Sequence, residues 1–144
     1  HIQRPALYPP SDGYQPAADP LIDVNRIIQA TRTLKAAVPD LPLVSTGLTY
    51  LQEHLPLVAQ ALVRHGWTDM VGIGRMILSY PRMIADAMLG GALQTRLICR
   101  TFSDCTTGPR NGLVSGCYPL DASYRDSTEG EALRNLKRHA RAGK

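Results

Sequence analysis

Apolar residues recur at helical spacing along 20–38. Leu21, Val24 and Ile28, then Ile27, Leu34 and Val38, alternate with Asp23, Arg26, Arg32 and Lys35. This pattern predicts an amphipathic helix with one buried face. Asp19-Pro20 supplies an N-cap and a first-turn proline, and Val38-Pro39-Asp40 ends it. The run 41–46, with Leu43 and Val44 between Pro42 and Gly47, is too short for a helix and predicts a buried strand. Thr49-Tyr50-Leu51-Gln52 has the form of a capping box. After it, Leu51, Leu55, Val58, Ala59, Leu62 and Val63 share a face, Pro56 falls in the first turns and Gly66 is the stop.

A second apolar run, Met70-Val71-Gly72-Ile73, predicts another buried strand ending in Gly74-Arg75. Pro81 then begins a helix with Met83, Ile84, Ala87 and Met88 inward, closed by Gly90-Gly91. Helix, strand, helix, strand and helix with short links imply an α/β fold with a parallel sheet. Residues 101–118 are rich in turn signals, and 129–141 predict a polar helix whose packing is slight. Residues 1–19, rich in Pro and Tyr with a Ser11-Asp12-Gly13 turn, predict an ordered arm. The chain divides into an arm at 1–19, strand–helix units at 20–95, a cysteine-containing extension at 96–124 and a basic tail at 125–144. Two strands cannot bury both faces of a parallel sheet. Much of the core is therefore expected from sequence outside this chain, or from a second copy.

Composition changes this picture little. The 144 residues suit one domain. The chain opens at His1 without Met, which predicts that it is processed, cut or taken from a longer reading frame. There is no signal-peptide pattern and no apolar run of membrane-spanning length, so a soluble cytoplasmic chain is expected, with no membrane partner. The net charge of +4 lies in the tail, where Arg134, Lys137, Arg138, Arg141 and Lys144 exceed the whole surplus. Such a tail is ordinarily a solvated terminus. No aromatic residues interleave with it, which argues against a nucleic-acid platform.

The candidate chemistry lies at the strand ends. One strand ends Ser45-Thr46-Gly47, the next Gly72-Ile73-Gly74-Arg75. With one helix between them they are expected as parallel neighbours whose ends point the same way. Glycine lets backbone approach an anion, and Arg75 adds a forked cation. In (β/α)₈ barrels the loops after strands seven and eight frequently form a phosphate site. On spacing alone, Arg75 paired with a carboxylate and glycines as plain turn residues remain the alternative. The Gly-x-Gly lacks the third glycine and following acid of a dinucleotide fingerprint. His54 and His65 fall on the second helix and read as ordinary surface residues. Cys99, Cys105 and Cys117 are an odd, clustered set, which excludes a disulfide framework and leaves free thiols or a metal site.

The block 69–81, with Asp69, an apolar strand, Gly74-Arg75 and then Pro81, resembles the last strand of the old yellow enzyme family of NAD(P)H:flavin oxidoreductases. Residues 42–47 resemble its penultimate strand, 1–19 the loop after its sixth strand, and 97–120 its cysteine-containing segment after the barrel. The resemblance implies the C-terminal portion of a TIM (β/α)₈ barrel, its last two strands and their helices, with a loop-rich extension. It implies FMN as cofactor, its phosphate held by Gly74, Arg75 and the Gly47 backbone, with Ser45 and Thr46 as weaker contacts. It further implies NAD(P)H as reductant and activated alkenes as substrates. The family's substrate-anchoring His/Asn pair and proton-donating Tyr have no counterpart here, so no catalytic residue is assigned and the chain alone is expected to be inactive.

Relatives with a Cys-x2-Cys-x3-Cys-x11-Cys pattern hold a [4Fe–4S] cluster. Cys105 and Cys117 have its last spacing, but Cys99 is one residue too close to Cys105, and Thr101 takes the second position. A metal-free loop is the default, with the cluster ahead of zinc among the metal readings. Two other function classes remain open: a phosphate-binding barrel fragment without flavin, and a non-enzymatic self-assembling module.

Overall fold

The computed structural model describes residues 5–9 and 16–142, with side chains to residue 139. The Ser11-Asp12-Gly13 turn, Arg141 and Lys144 lie outside what can be described of arm and tail.

Helix α1, Pro20–Ala37, starts where Asp19 Oδ1 accepts the Leu21 N–H at 2.8 Å. At its other end Lys35 Nζ donates to the carbonyls of Pro39 and Leu41 and pairs with Asp69 at 2.8 Å. Strand β1 is Val44–Ser45, and strand β2 is Met70–Val71. They are parallel, Val44 opposite Met70 and Ser45 opposite Val71. The predicted strand pair is therefore present, but short. Two groups fix its register. Asp69 Oδ2 accepts the Leu43 N–H at 2.7 Å. The buried Thr68 hydroxyl accepts from Ser45 N–H at 3.1 Å and lies 2.9 Å from the carbonyls of Leu43 and Met70.

Between the strands, residues Leu48–His54 form 3₁₀ turns, and the α-helix, α2, covers Leu55–Arg64. The capping box predicted at Thr49 does not form, and the cause is Pro56. A continuous helix would press its ring on the carbonyl of Gln52, four residues back, where no N–H is offered either. Gln52 instead turns to φ 52° and breaks the path. Gly66, at φ 65°, ends the segment as predicted.

After β2 come two short helices, α3 at Arg75–Ser79 and α4 at Met83–Met88. Only part of the inward face predicted for α4 is inward. Met83 is buried, but Ile84 and Met88 face solvent, Met88 at 82% exposure. The core-facing place one turn on from Met83 belongs to Asp86, which accepts the hydroxyl of the buried Tyr80. That bond also holds the Asp86 carboxyl below the usual carboxylate range.

The core gathers Val24, Leu48, Leu55, Leu62, Met76, Tyr80, Met83, Ile98 and Cys99. On α1 only Val24 is a buried apolar residue, while Leu21, Leu34 and Val38 stay exposed, so the expected buried face is half covered. Val44 and Met70 are each 53% exposed.

The C-terminal third is more helical than its turn signals suggest. Helix α5 spans Asp104–Arg110, with Pro109 inside its last turn. Proline cannot donate to the Cys105 carbonyl four residues back, and the Ser115 hydroxyl approaches that carbonyl at 3.4 Å. Helix α6, Ala122–Arg125, and helix α7, Thr128–Ala142, meet at Gly130, where a Cβ would lie 2.4 Å from the carbonyl oxygens of Tyr124 and Arg125. Only glycine allows that approach. Leu133 is 1% exposed, so α7 is anchored more firmly than its sparse aliphatics suggest. Lys137 Nζ adds an ion pair to Asp104 Oδ1 at 2.6 Å.

Candidate functional site

The parallel pairing brings the two strand ends together. Gly72 N–H continues the ladder to the Ser45 carbonyl at 2.8 Å, so 46–47 and 73–75 leave the sheet side by side. Gly47 turns at φ 86°, in the left-handed region, and a Cβ there would lie 2.9 Å from Ile27 Cδ1 of α1. The conformation is what favours glycine, since the Ile27 side-chain tip can shift aside. Gly74 is exposed, and a Cβ on it would meet nothing within 4 Å. The backbone at Gly74 is thus open to an incoming anion.

Ser45 and Thr46 separate. Ser45 is buried, its hydroxyl 3.5 Å from that of Thr31 on α1, while Thr46 is exposed beside Gly72. Ser45 is therefore a packing residue, and Thr46 is the side chain of the two that a ligand can reach.

Arg75 opens α3, and its guanidinium donates to the Pro5 carbonyl at 2.9 Å. The arm is also held from the far side. Thr101 Oγ1 accepts the Leu7 N–H at 2.8 Å, and Tyr8 stacks on Phe102 at 5.2 Å. Arg75 also shares a small pocket with all three cysteines, a convergence that spacing did not reveal. Long-range placement of Arg75 against 99–117 has no local sequence signal. The backbone offers one, since Thr101 and Ser103 both take positive φ, 54° and 66°. For a β-branched residue such as Thr101 that conformation is an outlier. Thr101 is fully buried, with its hydroxyl and carbonyl both turned to the arm.

Cys99 and Cys117 are buried and Cys105 is half-buried, all as free thiols. Burial pushes each thiol above its ordinary value, and the Arg75 charge draws Cys99 and Cys105 only partly back. Among the described residues no three His, Cys, Asp or Glu side chains are arranged to hold a metal ion. The position a second cluster thiolate would need is Thr101, whose hydroxyl already accepts the Leu7 N–H. The donor set thus falls short of the four thiolates that a [4Fe–4S] cluster takes.

His54 and His65 are exposed and flank α2 at its two ends, the His65 ring 5.7 Å from that of Trp67. Among the described residues no helix is long and apolar enough to cross a membrane.

No protein-family model, no curated protein and no solved structure matches this chain. Its functional reading therefore rests on its own residues and on the resemblance of 69–81.

Proposed function

We propose that this chain is the FMN-phosphate-gripping part of an NAD(P)H-dependent flavin oxidoreductase of the ene-reductase kind, built as the end of a (β/α)₈ barrel. The observation that carries the proposal is the side-by-side exit of two parallel strands. Gly47 turns one of them, and the open backbone of Gly74 beside Arg75 ends the other. Exposed Val44 and Met70, paired on one sheet face, support a sheet that continues into missing strands.

In this reading the backbone at Gly47 and Gly74 would hold the phosphate, with Thr46 within reach. Arg75 would supply the positive charge, its guanidinium oriented by the bond from Nη2 to the Pro5 carbonyl. FMN, when bound in the whole barrel, supplies hydride transfer from NAD(P)H to an activated alkene. This chain's share is to anchor and orient the cofactor, and the groups that would touch substrate belong to other strands.

Flavin binding tests it. Titrating FMN into the chain should quench flavin fluorescence saturably, and Arg75→Ala should weaken binding roughly tenfold, the loss of one charge-assisted hydrogen bond. Riboflavin, which lacks the phosphate, should bind at the Arg75→Ala level. Equal affinity for FMN and riboflavin would remove the phosphate site.

A further inference from the structure

A second concave site adjoins the cysteine pocket, with Asp104 and Pro119 lining both, between α5 and the α6–α7 pair. Its volume is about 370 Å³, within the range of small-molecule pockets. Four cations line it: Arg125, Arg134, Lys137 and Arg138. Asp104 is the one carboxylate in the lining, and Lys137 already binds it at 2.6 Å. Asp126, just outside, is engaged by the Arg125 fork at 2.9 Å. The wall therefore keeps a surplus of positive charge. The floor differs in character, for the partly exposed Pro119 presents apolar surface there, backed by the buried Leu133.

The cations are positioned by the fold. Arg134 Nη1 donates to the Arg125 carbonyl at 2.7 Å, which holds the guanidinium across the end of α6. Lys137 is fixed by Asp104, and Arg138 lies one residue further on, 3.4 Å from the Asn135 side chain. Gly130 permits the close α6–α7 contact that closes the pocket's side.

We propose that this pocket binds a phosphorylated small molecule, its phosphates on Arg134, Lys137 and Arg138 and its apolar part against Pro119. Guanidinium forks match phosphate oxygens, and three of the four cations are arginines. The charges gather around one half-open concavity, and the Tyr118 ring in its lining is buried and offers no exposed face for base stacking. Both features favour a compact ligand over a nucleic-acid strand. Arg75 does not line this pocket, and the proposal does not depend on flavin binding at Arg75.

Calorimetric titration of the whole chain with ADP, pyrophosphate and adenosine at low salt tests the assignment. ADP should bind saturably, one per chain, and weaken as salt rises. Adenosine should not bind. Pyrophosphate binding as tightly as ADP would keep the phosphate site and assign it to a simpler phosphate compound. Arg138→Glu changes an exposed side chain and should cost at least tenfold in ADP affinity with an unchanged circular dichroism spectrum. Arg134→Met should weaken ADP similarly. Absence of ADP and pyrophosphate binding at millimolar concentration overturns the proposal. So does ADP affinity that both variants leave unchanged. A single-stranded oligonucleotide that binds more tightly than ADP, and is lost in Arg138→Glu, overturns it in favour of a nucleic-acid surface.

Discussion

At the scale of single residues, the three thiols show how far burial can override reactivity. A cysteine reacts as thiolate, and desolvation disfavours that charged form. Cys99, Cys105 and Cys117 all have raised values, with burial the largest cause, and Cys117 is raised further by the other two. The sign for stability follows. Between the ordinary thiol value and the raised folded value, the unfolded chain loses protons that the folded chain keeps. Stability from these groups is thus intact below the ordinary value and declines as pH rises through that window. Labelling of the native chain with a thiol reagent should be much slower than in urea at neutral pH, and should accelerate only above the ordinary thiol range. Labelling at the free-cysteine rate at neutral pH would mean that the thiols are not buried as described.

At the scale of elements, the two-stranded sheet depends on a side chain outside both strands. Thr68 offers its hydroxyl to Ser45 N–H where the ladder begins, and is 2% exposed. Thr68→Val keeps the shape and removes the hydroxyl that the Ser45 N–H and the carbonyls of Leu43 and Met70 share. The expected cost is about 1–3 kcal/mol, read as a lower urea midpoint with an unchanged slope. An unchanged midpoint would show that the register is held elsewhere, with Asp69 the first suspect. The strands and α1 were readable from sequence because their signals are local: an N-cap, a periodic face, a glycine stop. The start of α2 was misjudged because Thr49 to Gln52 satisfies a local rule that Pro56 vetoes from four residues beyond. The outward turn of Ile84 and Met88 was unreadable for another reason. Nothing local says that Asp86 has Tyr80 to bond. Of the candidate site, Gly47, Gly74 and their adjacency could be read from spacing. The meeting of Arg75 with the arm and the cysteines could not, because it joins segments far apart in sequence.

At the scale of the whole molecule, the sheet is the least finished part. Parallel sheets are ordinarily covered on both faces, and a lone pair of strands is marginal in water. Here α1 stands on the Ser45 side, while Val44 and Met70 share the opposite face at 53% exposure each. Among the described residues β1 and β2 pair only with each other, so each also keeps an edge without a strand partner. Unpaired edge groups and bare apolar side chains are together the ingredients of association. Barrel strands supplied by a longer chain would cover that face, and without them a second copy is the available substitute. The chain at tens of micromolar should therefore scatter light as a dimer or larger species. Val44→Lys with Met70→Lys should return it to a monomer, since two like charges side by side on that face find no partner in each other or in a second copy. If the native chain is already a compact monomer, the face is tolerated in water and the argument for missing strands loses its physical support. If the double variant still associates, the contact lies elsewhere, and the exposed Leu21 and Leu34 of α1 become the surface to change next.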